Sequence, residues 1–227
     1  MARCIVCLHK LPIFEGLPMD EFKDVCLNAS KKSLNKGEYL FHQNQPADTI
    51  YLIKEGAVKL VQCTEEGKEI ILDIVARGNV LGETALFKKQ NQLSDAVALE
   101  TIRVCSFSLS QFEMLIKAKP NIALSIISNL GQKLYTTLQQ LGDSASHSVE
   151  EKLLALFFRL TKNYGRETET GQLIELNITQ QDLASMVGAS RVMVAQVIKR
   201  FKEEGILAKE GRYYELKDKC LNKHFKN

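Results

Sequence analysis

The sequence predicts an α+β protein: an N-terminal antiparallel β-roll of jelly-roll type, a long helix, and a C-terminal winged helix-turn-helix. Three observations carry this. Residues 37–108 hold short strand-like runs broken by Gly37, Gly56, Gly67, Gly78 and Gly82, the punctuation of an antiparallel sandwich or roll. Residues 127–141 carry an apolar seam at heptad steps. Residues 179–204 read as two short helices around a glycine turn, with a hairpin behind them. A length of 227 residues suits two small domains better than one. The expected divisions are 1–118 for the roll with its cysteine-bearing lead, 119–147 for the long helix and a hinge, and 148–227 for the winged domain.

Composition narrows the class. Apolar residues make up 45% and charged residues 25%, the balance of a folded soluble chain. No apolar run reaches the ~18 residues of a membrane span. The opening Met1-Ala2-Arg3-Cys4-Ile5-Val6-Cys7 lacks the apolar core of a secretory signal. A cytoplasmic protein with no membrane partner is expected, its six cysteines thiols or metal ligands rather than disulfides.

The elements follow in order. Residues 1–36 read as the lead and a helical stretch through Leu17, Phe22, Val25, Cys26 and Ala29. The strand runs lie at 39–41, 50–53, 57–61, 70–75, 96–99 and 102–105, with a hairpin turn at Glu65-Glu66-Gly67-Lys68. Ser110 is expected to open a short helix that Pro120 ends. In the next helix Ile127, Leu130, Leu134, Thr137 and Leu141 recur at steps of 3 and 4, a seam that fits a second copy of the chain. Packing on its own domain is the alternative, because Ile122, Leu124 and Ile126 widen the apolar face. Gly142-Asp143-Ser144-Ala145-Ser146 reads as a hinge. A helix through Leu153–Leu160, a polar loop at 163–172, a short strand at 173–176, two helices and a hairpin at 206–216 complete the chain.

The helix pair carries the functional signal. Thr179 and Asp182 form an N-cap pair, Gly188 ends the first helix and Ser190 caps the second. Val194, Val197, Ile198 and Phe201 are expected inward, which leaves Arg191, Val192, Gln196, Lys199 and Arg200 outward. Side chains at the start of such a helix meet base edges in a DNA major groove. Arg suits guanine and Gln suits adenine, whereas Lys199, Arg200, Thr179 and Gln180 suit phosphates. The net charge of +3 comes entirely from the C-terminal third: residues 1–149 carry 16 basic and 16 acidic side chains, and 191–227 carry 10 against 5. A solvated basic tail would give the same count, but the adjoining helix pair and the hairpin wing with Gly211-Arg212-Tyr213-Tyr214 favour DNA.

Together these residues resemble the Crp/Fnr family of bacterial transcription regulators, from about Phe14 to Leu216. The resemblance rests on Gly37-Glu38, the Tyr51-Leu52-Ile53-Lys54-Glu55-Gly56 strand and turn, Glu66-Gly67-Lys68-Glu69, Gly78, Gly82-Glu83-Thr84-Ala85-Leu86-Phe87 and Gly188-Ala189-Ser190-Arg191. It implies a cyclic-nucleotide-binding-like roll, a homodimer and a palindromic double-stranded DNA operator, with RNA polymerase as a further partner. In the family's nucleotide binders a Gly-Glu pair and an Arg-Ser pair hold the ribose and cyclic phosphate. Gly82 and Glu83, with Thr84 after them, match the first pair. The second falls on Leu93-Ser94, and leucine offers a phosphate no charge-assisted bond. Thr137 matches the threonine that meets the base. A pocket of Gly82, Glu83, Thr84, Leu93, Ser94 and Thr137 therefore implies weak cyclic AMP binding or none. The recognition helix departs too, with Val192 for the usual Glu and Gln196 for the usual Arg, so a different DNA half-site is expected.

Cys4, Cys7 and Cys105 resemble the oxygen-sensing branch, which holds an iron–sulfur cluster through four thiolates. Here Cys26 or His9 would have to complete the set. A Cys4–Cys7 thiol switch, zinc with His9, or simple packing remain alternatives. An enzyme is not expected. His42 is the only histidine of the roll, and neither a phosphate-binding loop nor a nucleophile elbow occurs. The expectation is a one-component sensor and regulator, an activator when promoter position allows. The alternatives are effector-independent DNA binding with a decayed pocket, or a sensor module acting through a protein partner.

Overall fold

The structure, a computed structural model, describes residues 29–64, 66–86, 90–118, 120–144 and 148–218. The described residues form two compact units, with the break in the long helix between Thr137 and Leu138. The N-terminal half is two four-stranded antiparallel sheets. One runs β1(Ser30–Leu34), β8(Ile102–Ser108), β3(Thr49–Glu55), β6(Val80–Leu81); the other runs β2(Tyr39–Phe41), β7(Asp95–Ala98), β4(Ala57–Cys63), β5(Glu69–Ala76).

The apolar runs are explained by burial on both faces of the first sheet. Ile53, Ile102 and Val104 enter a cluster with Leu34, Phe41, Val58, Val75 and Ala96. The alternate residues Ile50, Leu52, Cys105 and Phe107 turn to the other side, against Phe112, Ile122 and Ile126. A strand covered on both sides reads as continuous apolar sequence rather than as alternation. Phe112 belongs to α1(Leu109–Ala118), and Ile122 and Ile126 to α2(Pro120–Ser144).

Several expectations are corrected. β1 lies within the stretch read as lead and helix. It pairs with β8 from Ser30↔Ser106 to Leu34↔Ile102, yet only Leu34 of it is buried. A Lys-bearing edge strand has no alternation to read. The stretch from Leu17 to Cys26 lies outside the described residues. Ser108, not Ser110, caps α1: its Oγ accepts from Gln111 N at 3.3 Å, and Gln111 Oε1 accepts from Ser108 N at 2.9 Å. Helix α2 continues through Gly142 and Asp143 to Ser144, past the start of the expected hinge; Ala145 and Ser146 lie outside the described residues.

The C-terminal unit packs α3(Val149–Tyr164), α4(Gln180–Val187) and α5(Arg191–Glu203) with a sheet ordered β11(Leu207–Glu210), β12(Tyr213–Lys217), β10(Gly171–Ile174), β9(Gly165–Thr168). The polar loop expected at 163–172 is in fact the β9–β10 hairpin, whose outer strand is exposed at three of its four residues. Leu153, Leu156, Phe157, Leu183, Val194, Ile198, Phe201 and Leu216 form the buried centre. The Phe157 and Tyr214 rings meet at 5.4 Å, joining α3 to β12. Among the described residues no helix is long and apolar enough to cross a membrane.

Candidate nucleic-acid interface

Three capping arrangements set the helix pair. Thr179 Oγ1 accepts from Asp182 N at 3.1 Å, and Asp182 Oδ2 accepts from Thr179 N at 3.0 Å and from its hydroxyl at 2.6 Å. Gly188 follows α4 at φ 68°, ψ 31°, the left-handed conformation that glycine enters without strain, and its N–H donates to Ala184 O. Ser190 Oγ then accepts from Met193 N at 3.2 Å and starts α5.

Val194, Ile198 and Phe201 are 0–1% exposed and root α5 in the core; Val197 is half-buried. Arg191, Val192, Gln196, Lys199 and Arg200 all lie exposed. Thr179 is exposed but its hydroxyl serves the cap, and Gln180 is half-buried. Arg200 has a partner that the sequence did not disclose: its guanidinium donates to the Glu150 carboxylate of α3. Lys199 Nζ lies 3.8 Å from Glu203 one turn on, with 79% of its side chain exposed. The β11–β12 hairpin places Gly211 at φ 58° in a two-residue loop, as a hairpin with glycine first favours. Arg212 stacks on Tyr213 at 4.9 Å, and Lys209 lies 5.6 Å from the Tyr214 ring.

Behind this surface Glu215 ties the sheet together. Its Oε1 accepts from Thr168 Oγ1 at 2.7 Å and Thr170 Oγ1 at 2.6 Å, and Lys217 Nζ donates to Oε2. Burial raises its pKa, but hydrogen bonds from Lys217, Thr170 and Thr168 and the Lys217 charge outweigh that and hold it at about 2, below the ordinary 4.5.

In the N-terminal unit, Gly82 turns at φ +84°, where a Cβ would stand 2.4 Å from Thr49 O. Glu83 opens a short 3-10 turn, Glu83–Leu86, and Oε1 accepts from Lys133 Nζ of α2 at 2.6 Å. Sequence reasoning passes over Lys133, whose only signal is a lone cation one turn before Thr137. Thr137 Oγ1 donates to Lys133 O at 2.9 Å. Ser94 is buried, whereas Leu93 is 64% exposed, its carbonyl accepting from Gln62 Nε2 at 2.9 Å. The Thr84 backbone lies in the 3-10 turn.

On α2, Ile127 and Leu134 are 63% and 61% exposed, and Thr137 is exposed. Leu130 is half-buried against the apolar cluster of its own unit, so it packs the roll. Leu141 lies on α2.

Cys4 and Cys7 lie outside the described residues. Cys105 is 0% exposed among apolar side chains of β3, α1 and α2. Among the described residues no group of three or more His, Cys, Asp or Glu side chains could hold a metal.

Comparison with known proteins matches residues 31–119 to the cyclic nucleotide-binding domain and residues 151–220 to the Crp-like helix-turn-helix domain. The cAMP-activated global transcriptional regulator CRP of Salmonella typhimurium is 29% identical over 174 residues, covering 76% of this chain and 82% of that protein. The c-di-GMP responsive global regulator CLP of Xanthomonas campestris superposes with a TM-score of 0.73 at 20% identity, over 88% of this chain and 99% of that one. CooA from Carboxydothermus hydrogenoformans gives the same TM-score at 21% identity, over 90% of each chain. With both domains matched in order and a capped helix pair exposing a cationic face, the chain belongs to the Crp/Fnr family of DNA-binding transcription regulators.

Proposed function

We propose that the protein acts as a homodimer on a palindromic operator, with one α5 in each of two successive major grooves, and that a signal at the β-roll controls the affinity. The observation that carries this is the outer face of α5, where Arg191, Gln196, Lys199 and Arg200 stand exposed on a helix rooted by Val194, Ile198 and Phe201. Two such helices about 34 Å apart read half-sites one helical turn apart. The exposed α2 residues Ile127 and Leu134 supply the dimer seam. The roll is a ligand-responsive module, the whole a cytoplasmic regulator that meets RNA polymerase and catalyses nothing.

Cyclic AMP, the activator named for the enteric relatives, is a poor ligand in this proposal. Leu93 cannot neutralise a phosphate, and the Glu83 carboxylate already holds Lys133. The Glu83–Lys133 pair also favours a second reading, effector-independent DNA binding, because it ties α2 to the roll without a ligand. Selection of a bound duplex from a random library with the intact protein, followed by titration of that duplex with and without cyclic AMP, tests both. A palindromic motif whose affinity ignores millimolar cyclic AMP is expected. No motif refutes the DNA-reading role, and a large affinity gain with cyclic AMP refutes the proposal for the ligand.

A further inference from the structure

The first turn of α5 breaks the rules that its neighbours keep. Helix N-termini favour acidic side chains because the backbone dipole is positive there. α3 has Glu150 and Glu151 in its first turn and α4 has Asp182, but α5 has no acid there. Its first turn is Arg191-Val192-Met193: a cation against the dipole, a β-branched residue and an unbranched apolar one. Val192 is 66% exposed and Met193 47%, so the core does not explain them. A local conflict without a packing reason is the signature of a functional position.

The helix places the two side chains well. Each residue turns the chain by about 100°, so Val192 and Gln196 project nearly opposite the buried Val194. Met193 lies on the flank that also carries Arg200. The Ser190 cap, accepting from Met193 N, holds the turn in place before anything binds. The rim of the apolar pair is Arg191, Gln196, Lys199 and Arg200, a cationic and amide border that suits polyanionic duplex DNA rather than a protein surface. Within a major groove the apolar group on a base edge is the C5-methyl of thymine.

We infer that Val192 and Met193 read thymine methyl groups, so that each half-site carries thymine under the start of α5 and is distinguished there by apolar contact. This rests on the DNA-binding proposal above and adds which base chemistry the helix selects.

The test is a methyl deletion. The duplex selected by the intact protein is remade with deoxyuridine in place of each thymine in turn, which removes the methyl and leaves the hydrogen-bonding edge unchanged. Wild type is expected to lose about fourfold in affinity for each contacted methyl removed. V192A and M193A are expected to lose that discrimination, each at its own thymine. Both side chains are exposed, so the fold should survive, and the wild-type scan stands alone if a variant does not express. A wild-type protein indifferent to deoxyuridine at every position, a motif without thymine, or full discrimination retained by both variants overturns the inference while leaving the DNA-reading role intact. Failure to select any motif overturns that role instead.

Discussion

Acid is expected to loosen the winged unit through a single carboxylate. Glu215 is buried, accepts from two threonine hydroxyls and the Lys217 ammonium, and is held at about 2 instead of 4.5. A carboxyl with a depressed folded-state pKa contributes stability above its unfolded value and loses it as pH falls toward the folded one. The window therefore runs from about 4.5 down to about 2. The full shift is worth at most about 3 kcal/mol. Lys217 is 26% exposed, and solvent screening reduces the expected contribution to about 1–2 kcal/mol. The assay is urea unfolding of wild type and Glu215→Gln from pH 7 to pH 3, with hydrogen exchange of peptides spanning 165–174 and 207–217 to locate the loss in the β9–β12 sheet. The stability difference should be flat from pH 7 to about 5 and then shrink toward zero. A difference that stays constant with pH, or grows as pH falls, would refute the reasoning.

Four further outcomes are expected. Gly82→Ala puts a methyl 2.4 Å from Thr49 O at φ +84°, so it should cost about 2 kcal/mol or more, read as a fall in Tm. Lys199→Ala should lower the slope of log affinity against log salt by about one. Arg200→Ala should change that slope less and cost under about 1 kcal/mol of stability, because Arg200 already pairs with Glu150. Leu134, 61% exposed on α2, should be dispensable for the monomer fold, so Leu134→Asp should sediment as a folded monomer, and a persistent dimer would place the interface elsewhere.

What the sequence disclosed and what it hid divide along a physical line. The strands β3 and β8 were legible because both faces are buried and the chain writes this as unbroken apolar runs. The helix pair was legible because caps are local: Thr179 with Asp182, Gly188, and Ser190 all act within a few residues. β1 and β9 were not legible because exposed strands need no apolar pattern. Nor were the pairs Glu83–Lys133 and Glu150–Arg200, each joining residues 50 apart in the chain. Such contacts exist only once the fold has brought their elements together. Arg200 suits phosphates by its position on α5, and its tie to Glu150 is invisible from that helix alone.

The Glu83–Lys133 pair also bounds how a signal could work. It is the described contact by which the Gly82–Leu86 turn holds α2 through charge, and a ligand competing for Glu83 would release it. A partly exposed ion pair contributes about 1 kcal/mol at most, and shifting a two-state equilibrium from nearly all off to nearly all on takes about 5.5 kcal/mol. Breaking this pair alone would change the DNA-competent population by about fivefold. A stronger response needs a larger source of free energy. In the proposed dimer that source lies on the same helix: Ile127 and Leu134 are 63% and 61% exposed in the single chain, and burying one such side chain is worth about 1.5–3 kcal/mol. A modest rotation of α2 that re-registers both of these seam residues would supply what the ion pair cannot. It follows that Lys133→Met, which breaks the pair and leaves Glu83 in place, should leave most of any regulation intact, whereas substitutions along the α2 seam should abolish it.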